Sequence, residues 1–304
     1  MNILLTCAGG PAAIGVIKSL NIINFLGKIV SVDSDKNSAG LYLSNKSYVV
    51  PNVTDSKYWK TVLNIILKEK INLILPTGDA DILLFSKNKD VLEKHGVICY
   101  MSDYDTIHTC QDKKLFFEHC VRNFPMPKTS LNYKDITFPI FTKPRRGSGS
   151  RDIRICDNLN DIKSLKKLEY IFQEYLPGKE YTVDTLSNIN GKFISCVIRD
   201  RIQIKSVITT KTKIIKNSNM ALLSKKLCEY LKIKGPSCIQ FKLDSNNTPK
   251  LIELNPRLGG GTYFSSLAGM NSVELILKMI DNIHFTSPKI KKMTIVRYYE
   301  EIIV

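Results

Sequence analysis

Apolar and polar positions fall into blocks along the chain, and the character of the blocks changes near residue 105. Before that point, short apolar runs alternate with longer segments of helical period. Residues 2–7 (NILLTC) predict a buried strand, followed by a Gly-rich turn and a helix from about Pro11 to Phe25. Pro11 suits the first helical position, where its missing N–H is not needed. Residues 28–33 predict a second strand ending at Asp33, and Tyr48 to Val50 form a short apolar stretch stopped by Pro51. A helix over 56–70, a strand over 71–75 closed by Pro76-Thr77-Gly78, a helix over 80–94 and a strand over 97–100 follow. Strands that alternate with helices predict a parallel, doubly wound sheet.

The rest of the chain reads differently. Gln111 to Val121 predict a helix, and Phe138 to Lys143 a strand that runs into a Gly/Ser/Arg loop. From residue 170 strands dominate, over 170–176, 181–187, 192–200, 202–210, 237–244 and 249–254, with helices at about 218–232 and 271–282 and a last strand at 293–304. Asn190-Gly191 between two of these runs is a strong hairpin turn. The second half is therefore α+β with antiparallel pairing, and the fold class is α/β plus α+β.

Composition narrows the picture. The length of 304 residues suits about two to three compact units, and 43% hydrophobic residues are ample for real cores. No run of roughly 18 apolar residues occurs, so no membrane span is expected. The start, MNILLTCAGG, lacks the basic region, apolar stretch and cleavage site of a signal peptide, and a cytoplasmic location is expected. Eight cysteines form no CxxC pair and the four histidines are scattered, which predicts reduced, packed thiols and no zinc centre. The net charge of +16 is spread along the chain without a helix-turn-helix, RNP or zinc-finger signature. Nucleotide phosphates and an acidic substrate would use part of that charge; nucleic acid is not the expected partner.

Four segments carry residue types suited to chemistry. The turn Cys7-Ala8-Gly9-Gly10-Pro11 lies between strand and helix, where Gly9 and Gly10 let backbone approach an anion. Gly9 and Gly10 stand either near a substrate or in plain architecture, and the spacing of the turn is not that of a dinucleotide fingerprint. The segment Lys143-Pro144-Arg145-Arg146-Gly147-Ser148-Gly149-Ser150-Arg151 places a lysine at a strand end before a loop rich in glycine and cations, suited to closing over polyphosphate or to plain solvation. In Glu174-Tyr175-Leu176-Pro177-Gly178-Lys179-Glu180 a strand meets a Pro-Gly turn. Its extended backbone can face an adenine edge and Glu180 can accept from ribose hydroxyls, although taken alone the segment reads more readily as a turn with a surface Glu. The last segment runs Leu251-Ile252-Glu253-Leu254-Asn255-Pro256-Arg257. Alternation sends Glu253 and Asn255 to one face, and Ile252 and Leu254 to the other. Gln240 shares the first face if 240–243 pairs antiparallel with 251–254. Three oxygen donors then suit a hard cation, and Arg257 can meet a phosphoryl oxygen.

Taken in order, these motifs resemble the ATP-grasp superfamily over nearly the whole chain, with the nearest look to carbamoyl-phosphate synthase halves and stand-alone carboxylate–amine ligases. The resemblance implies an N-terminal Rossmann-like domain over 1–105 and a two-lobed ATP-grasp domain over 106–304, with a small nucleotide-binding lobe at about 106–178 and a catalytic lobe at about 179–304. It implies ATP and Mg²⁺ (or Mn²⁺) as cofactors. Lys113 and Lys143 match the nucleotide-contacting basic residues, and Gly147, Ser148, Gly149 and Ser150 the glycine-rich loop. Glu174, Tyr175 and Leu176 match the adenine hinge, and Glu180 the ribose acid. Gln240, Glu253 and Asn255 match the metal ligands, and Arg257 the arginine beside the transferred phosphoryl group. Gln240 departs from the acid that many relatives carry there. The sequence has no glutamine-hydrolysing part and no second synthetase half, so a self-contained carbamoyl-phosphate synthase is not expected.

The activity implied is an ADP-forming carboxylate–amine or carboxylate–ammonia ligase working through an acyl-phosphate. An ATP-grasp kinase or an ammonia-using synthetase subunit are alternatives, and a non-enzymatic nucleic-acid binder or a nicotinamide enzyme rank below them. The expected partners are a small-molecule carboxylate and an amine or ammonia, and a homodimer is allowed for. Strand alternation puts 199, 201, 203 and 205 on one face, so Arg199, Arg201 and Lys205, with Lys211, form either a cationic strip for an acidic substrate or a solvated strand face.

Overall fold

The structure is a computed structural model, and it describes residues 1–147, 149, 151–206 and 208–304. Three sheets organise the chain. The first is parallel, in the order β3-β2-β1-β4-β5, from β1 (Asn2–Leu5), β2 (Lys28–Asp33), β3 (Lys46–Val49), β4 (Leu73–Leu75) and β5 (Ile98–Cys99). Its central strand shows why. Ile3, Leu4 and Leu5 are fully buried, with Ile3 and Leu5 in one apolar layer and Leu4 in another. A strand buried on both faces needs helices on both faces. Helix α1 (Pro11–Ile22) covers one side through Val16 and Leu20. Past α2 (Ala39–Tyr42), helices α3 (Tyr58–Lys68) and α4 (Asp79–Lys87) cover the other through Val62, Ile66, Ile82 and Phe85. The strand order reverses between β1 and β4, which opens a crevice beyond their carboxyl ends.

The second sheet has the order β6-β9-β7-β8, from β6 (Thr129–Ser130), β7 (Ile140–Pro144), β8 (Arg154–Cys156) and β9 (Tyr170–Glu174), with antiparallel neighbours throughout. The third is a six-stranded antiparallel sheet in the order β14-β13-β10-β11-β12-β15. Its strands are β10 (Glu180–Ser187), β11 (Phe193–Lys205), β12 (Ile208–Ile215), β13 (Gly235–Leu243), β14 (Pro249–Asn255) and β15 (Thr294–Val296). Val183, Ile198, Ile239 and Leu254 lie in register across four of these strands and form one core. The first apolar layer continues into this half through Leu186, Val197 and Ile214.

The expected α/β plus α+β architecture is the one found. Several boundaries differ for local reasons. The helix expected over 80–94 breaks at Asn88, whose side chain donates to the Leu84 carbonyl (2.8 Å), giving α4 and α5 (Lys89–Lys94). An unanticipated helix, α6 (Tyr104–Gln111), precedes α7 (Lys113–Cys120), and Asp112 separates them by accepting from the N–H groups of Lys114 and Leu115. That is N-capping by a buried carboxylate. Strand β11 continues through residue 201, where a break was expected, and runs to Lys205. Of the expected last strand only Thr294–Val296 is paired. All eight cysteines are free. Among the described residues, no helix is long and apolar enough to cross a membrane.

Phe241 is 1% exposed in the core beneath β13. Phe241→Ala is expected to lower stability by about 3–5 kcal/mol through cavity formation, read from urea unfolding followed by circular dichroism.

Candidate functional site

The face of the six-stranded sheet opposite its core carries the polar residues. Antiparallel register places Arg199 opposite Thr182, Thr182 opposite Gln240, and Gln240 opposite Glu253, one row across β11, β10, β13 and β14. The neighbouring row brings Asp184, Cys238 and Asn255 together. Directly opposed residues share a face, so Gln240, Glu253 and Asn255 converge as the sequence suggested. The Asn255 amide N–H donates to Glu253 Oε1 at 2.9 Å, which leaves its oxygen as an acceptor. One expectation fails here. The pairing shifts after Gln240, so that Phe241 faces Leu251. This bulge turns Ile252 toward the site, although alternation had sent it away with Leu254.

Lys143 enters from β7. It is 4% exposed, and its ammonium donates to the Ile252 carbonyl at 3.3 Å. Burial pushes its pKa down to about 8, with the Lys113 charge adding to that, while Glu253 and Glu180 oppose it. A desolvated cation of this kind gains from an anionic ligand.

The following loop is anchored at its root. Asp112 is 1% exposed and receives Arg145 Nε at 2.8 Å and Arg146 Nε at 3.1 Å. Burial alone would raise its carboxyl, but the hydrogen bonds from Arg145, the Leu115 N–H and Arg146 hold it at about 2. Arg145 also meets Glu169 (2.6 Å), and Lys113 Nζ donates to the Gly147 carbonyl (2.8 Å). Gly147 and Gly149 both have positive φ, 121° and 74°, a conformation that favours glycine. The expected loop positions Ser148 and Ser150 lie outside the described residues.

Glu174 ends β9, where its N–H donates to the Lys128 carbonyl (2.9 Å), and Tyr175 and Leu176 follow. Glu180 opens β10 and accepts from Arg201 Nη1. Arg199, 2% exposed, is clamped by Asp184 through Nε (2.7 Å) and Nη2 (2.9 Å), and Ser265 donates to the same carboxylate. The cationic strip does not extend further. Pairing between β11 and β12 shifts twice, between Arg201 and Gln203 and again between Gln203 and Ile204. A bulge reverses the alternation, so Ile204 and Ser206 line the cavity with Arg199 and Arg201, and Lys205 and Lys211 do not.

Arg257 follows β14 and forms a two-pronged pair with Asp79, Nε to Oδ1 at 2.5 Å and Nη2 to Oδ2 at 2.8 Å. Burial opposes the guanidinium charge, but Asp79 outweighs it and raises the pKa. Asp79 stands at the start of α4, just beyond β4, and was not singled out from sequence. The turn Pro76-Thr77-Gly78 before an acidic helix start was the only local signal. Of the N-terminal turn, Gly10 reaches the cavity, whereas Gly9 donates its N–H to Asp33 Oδ2 (2.9 Å) within the turn. Asp33 thus organises this loop.

These elements enclose one cavity of about 1090 Å³. Lys113, Lys143, Gly147, Gly149, Glu174, Tyr175, Leu176, Glu180, Gln240, Glu253, Asn255 and Arg257 all line it, with Gly10, Arg199 and Arg201. It lies where the two antiparallel sheets face each other, closed on one side by the crevice of the parallel sheet.

A six-stranded antiparallel sheet facing a smaller one across a cavity of buried cations and hard oxygen donors defines the ATP-grasp architecture. Residues 166–302 match the family model described as ATP-grasp in the biosynthetic pathway with Ter operon, and residues 3–100 match the PylC-like, N-terminal domain. The chain carries an ATP-grasp domain behind a PylC-like N-terminal domain. It is 25% identical to the carbamoyl phosphate synthase large chain of Buchnera aphidicola over 72% of this chain, which spans only 24% of that relative's length. A carbamoyl-phosphate synthase of Methanobrevibacter smithii is 21% identical, with 82% of this chain and 73% of that one covered. Among solved structures, N5-carboxyaminoimidazole synthetase from Staphylococcus aureus, complexed with ADP, superposes with a TM-score of 0.76 at 15% identity, covering 98% of this chain and 82% of that one. Biotin carboxylase from Campylobacter jejuni gives 0.74 at 15% identity, covering 95% and 73%.

The buried lysine generates a pH prediction. In the folded, ligand-free chain Lys143 titrates near pH 8, below its ordinary value of 10.5. A polyphosphate restores the charged form, so MgADP binding is expected to take up a proton near pH 8 and to weaken as pH rises above it. Calorimetry in buffers of different ionisation enthalpy reads the uptake, and Lys143→Met should remove it. The sign for folding is opposite: the unfolded chain binds the extra proton between about pH 8 and 10.5, so this group makes the ligand-free protein more stable as pH rises through that window.

Proposed function

We propose that this chain is an ADP-forming ATP-grasp ligase that joins a small carboxylate to an amine or ammonia through an acyl-phosphate. One observation carries the reading. Three separate stretches, around Lys143, Glu180 and Glu253–Arg257, meet on one cavity together with Arg146, Gly147 and Gly149 of the cationic loop. The relatives named carbamoyl phosphate synthase, and a neighbour of the same fold solved with ADP, support it.

The roles are those the family resemblance implies, and the charge and placement of the residues are compatible with them. Lys113 and Lys143 serve the phosphates, Tyr175 and Leu176 the adenine edge, and Glu180 the ribose. Glu253 and Asn255, with Gln240 opposite, would hold Mg²⁺ or Mn²⁺, and their hard oxygen atoms fit such an ion. When bound, the ion offsets charge that grows on the transferred phosphoryl group. Arg257 supplies fixed positive charge at the same place. The substrate carboxylate attacks the terminal phosphoryl group and ADP leaves. The amine then attacks the acyl carbon and phosphate leaves. Arg199 and Arg201, on the cavity wall formed by β11, would face an acidic substrate.

Glu253→Ala is expected to lower metal-dependent ADP formation by at least about 10²-fold while the circular dichroism spectrum is retained. Screening acids and amines by phosphate release, with the new amide detected by mass spectrometry, identifies the substrates. ADP formed with a phosphorylated acid as the final product, and no amide, would instead mark a kinase.

A further inference from the structure

We infer that Asp79, contributed by the parallel-sheet unit, is the positioning residue that sets the orientation of Arg257 for the transferred phosphoryl group. The inference rests on the role proposed for Arg257 and extends it to a residue distant in sequence. Arg257 follows β14 at the rim of the cavity, and its long side chain has many rotamers of its own. What fixes it comes from elsewhere. Asp79 takes the Nε and Nη2 donors at 2.5 and 2.8 Å, and the Leu258 carbonyl takes Nη1 at 3.1 Å. A guanidinium has five N–H donors, so these contacts leave one on each terminal nitrogen. Both Asp79 and Arg257 line the cavity. The pair therefore leaves a fork of unspent donors beside Glu253 and Asn255.

Asp79 is itself held. It stands in the first turn of α4, and its carbonyl accepts from the Gln111 side chain just before the α6–α7 break. The turn before it is pinned by close packing: a Cβ on Gly78 would sit 2.3 Å from Cys7 Sγ. The carboxylate is thus fixed to a strand–turn–helix unit, and a two-pronged bond transmits that rigidity to the guanidinium. A merely structural ion pair would hold the two parts of the chain together without any effect on the third phosphate.

The test compares dissociation constants for MgADP and for the magnesium complex of the β,γ-imido analogue of ATP, by calorimetry on the full chain. The unmodified protein should favour the triphosphate analogue. Asp79→Asn keeps the shape but turns an N–H toward the guanidinium, and should cut that preference by about tenfold while MgADP still binds. Asp79→Glu, which keeps the carboxylate, should retain most of it. Arg257→Ala should lose the same preference, and the double variant D79N/R257A should lose no more than either alone, because the two act as one unit. Full triphosphate preference in Asp79→Asn alongside its loss in Arg257→Ala overturns the inference and leaves the proposed function standing. Additive losses in the double variant also overturn it. Full preference in Arg257→Ala removes the role of Arg257 itself, and the inference with it.

Discussion

The two-residue period of paired strands is the constraint on which the rest of this site depends. Strands β13 and β14 pair so that Gln240 faces Glu253 and Cys238 faces Asn255, and the same register buries Ile239 against Leu254. The apolar residues cannot leave the core without turning the oxygen donors away from the cavity, because a slip of one residue exchanges the two faces. Burial of Val183, Ile198, Ile239 and Leu254 thus sets the register, and the register sets the chemistry. Mutations that relax the core beneath the sheet act on the polar face without touching it.

Legibility followed the same rule. The metal-type cluster was readable because alternation survives from Asn255 back to Glu253 and across to Gln240. It was misread at Ile252, the extra residue of the bulge, for want of any local signal. The basic strip was misread more widely. A register shift at Ile202 of β11 puts Ile204 and Ser206 where Gln203 and Lys205 were expected, and no glycine or proline in Arg201-Ile202-Gln203-Ile204 announces it. The doubly wound first sheet was legible because a continuous apolar run such as Ile3-Leu4-Leu5, set among segments of helical period, has one reading: a strand covered on both faces. Asp79 and Asp112 were not read as site residues. Their partners, Arg257 and Arg145, lie far along the chain, and such pairings leave no mark in a local pattern.

The parallel-sheet unit contributes more than a lid to the site. Its strand order reverses between β1 and β4, and the loops beyond those two strands supply Gly10, Thr77 and Asp79. A crevice at a topological switch point is a general place for ligands in open α/β sheets. Here that crevice is pressed against the antiparallel sheets, so it becomes one wall of a larger cavity. The apolar layer that joins Ile3 and Leu5 to Leu186 and Val197 keeps that wall in place.

The charge inside the cavity is arranged for rigidity. Arg199 is paired with Asp184, Arg201 with Glu180 and Arg257 with Asp79, and beside the cavity, at the root of the loop, Arg145 is paired with Asp112. In each pair the carboxylate comes from a different strand, helix or cap, which costs the arginine its freedom and gives it a direction. Preorganised charge of this kind needs little rearrangement when an anion arrives. Lys143 differs: its ammonium meets a backbone carbonyl, and burial already presses it toward neutrality. The paired arginines therefore shape the site, and on the function proposed above Lys143 is a desolvated cation that gains from a polyphosphate, alongside Lys113 and Arg257.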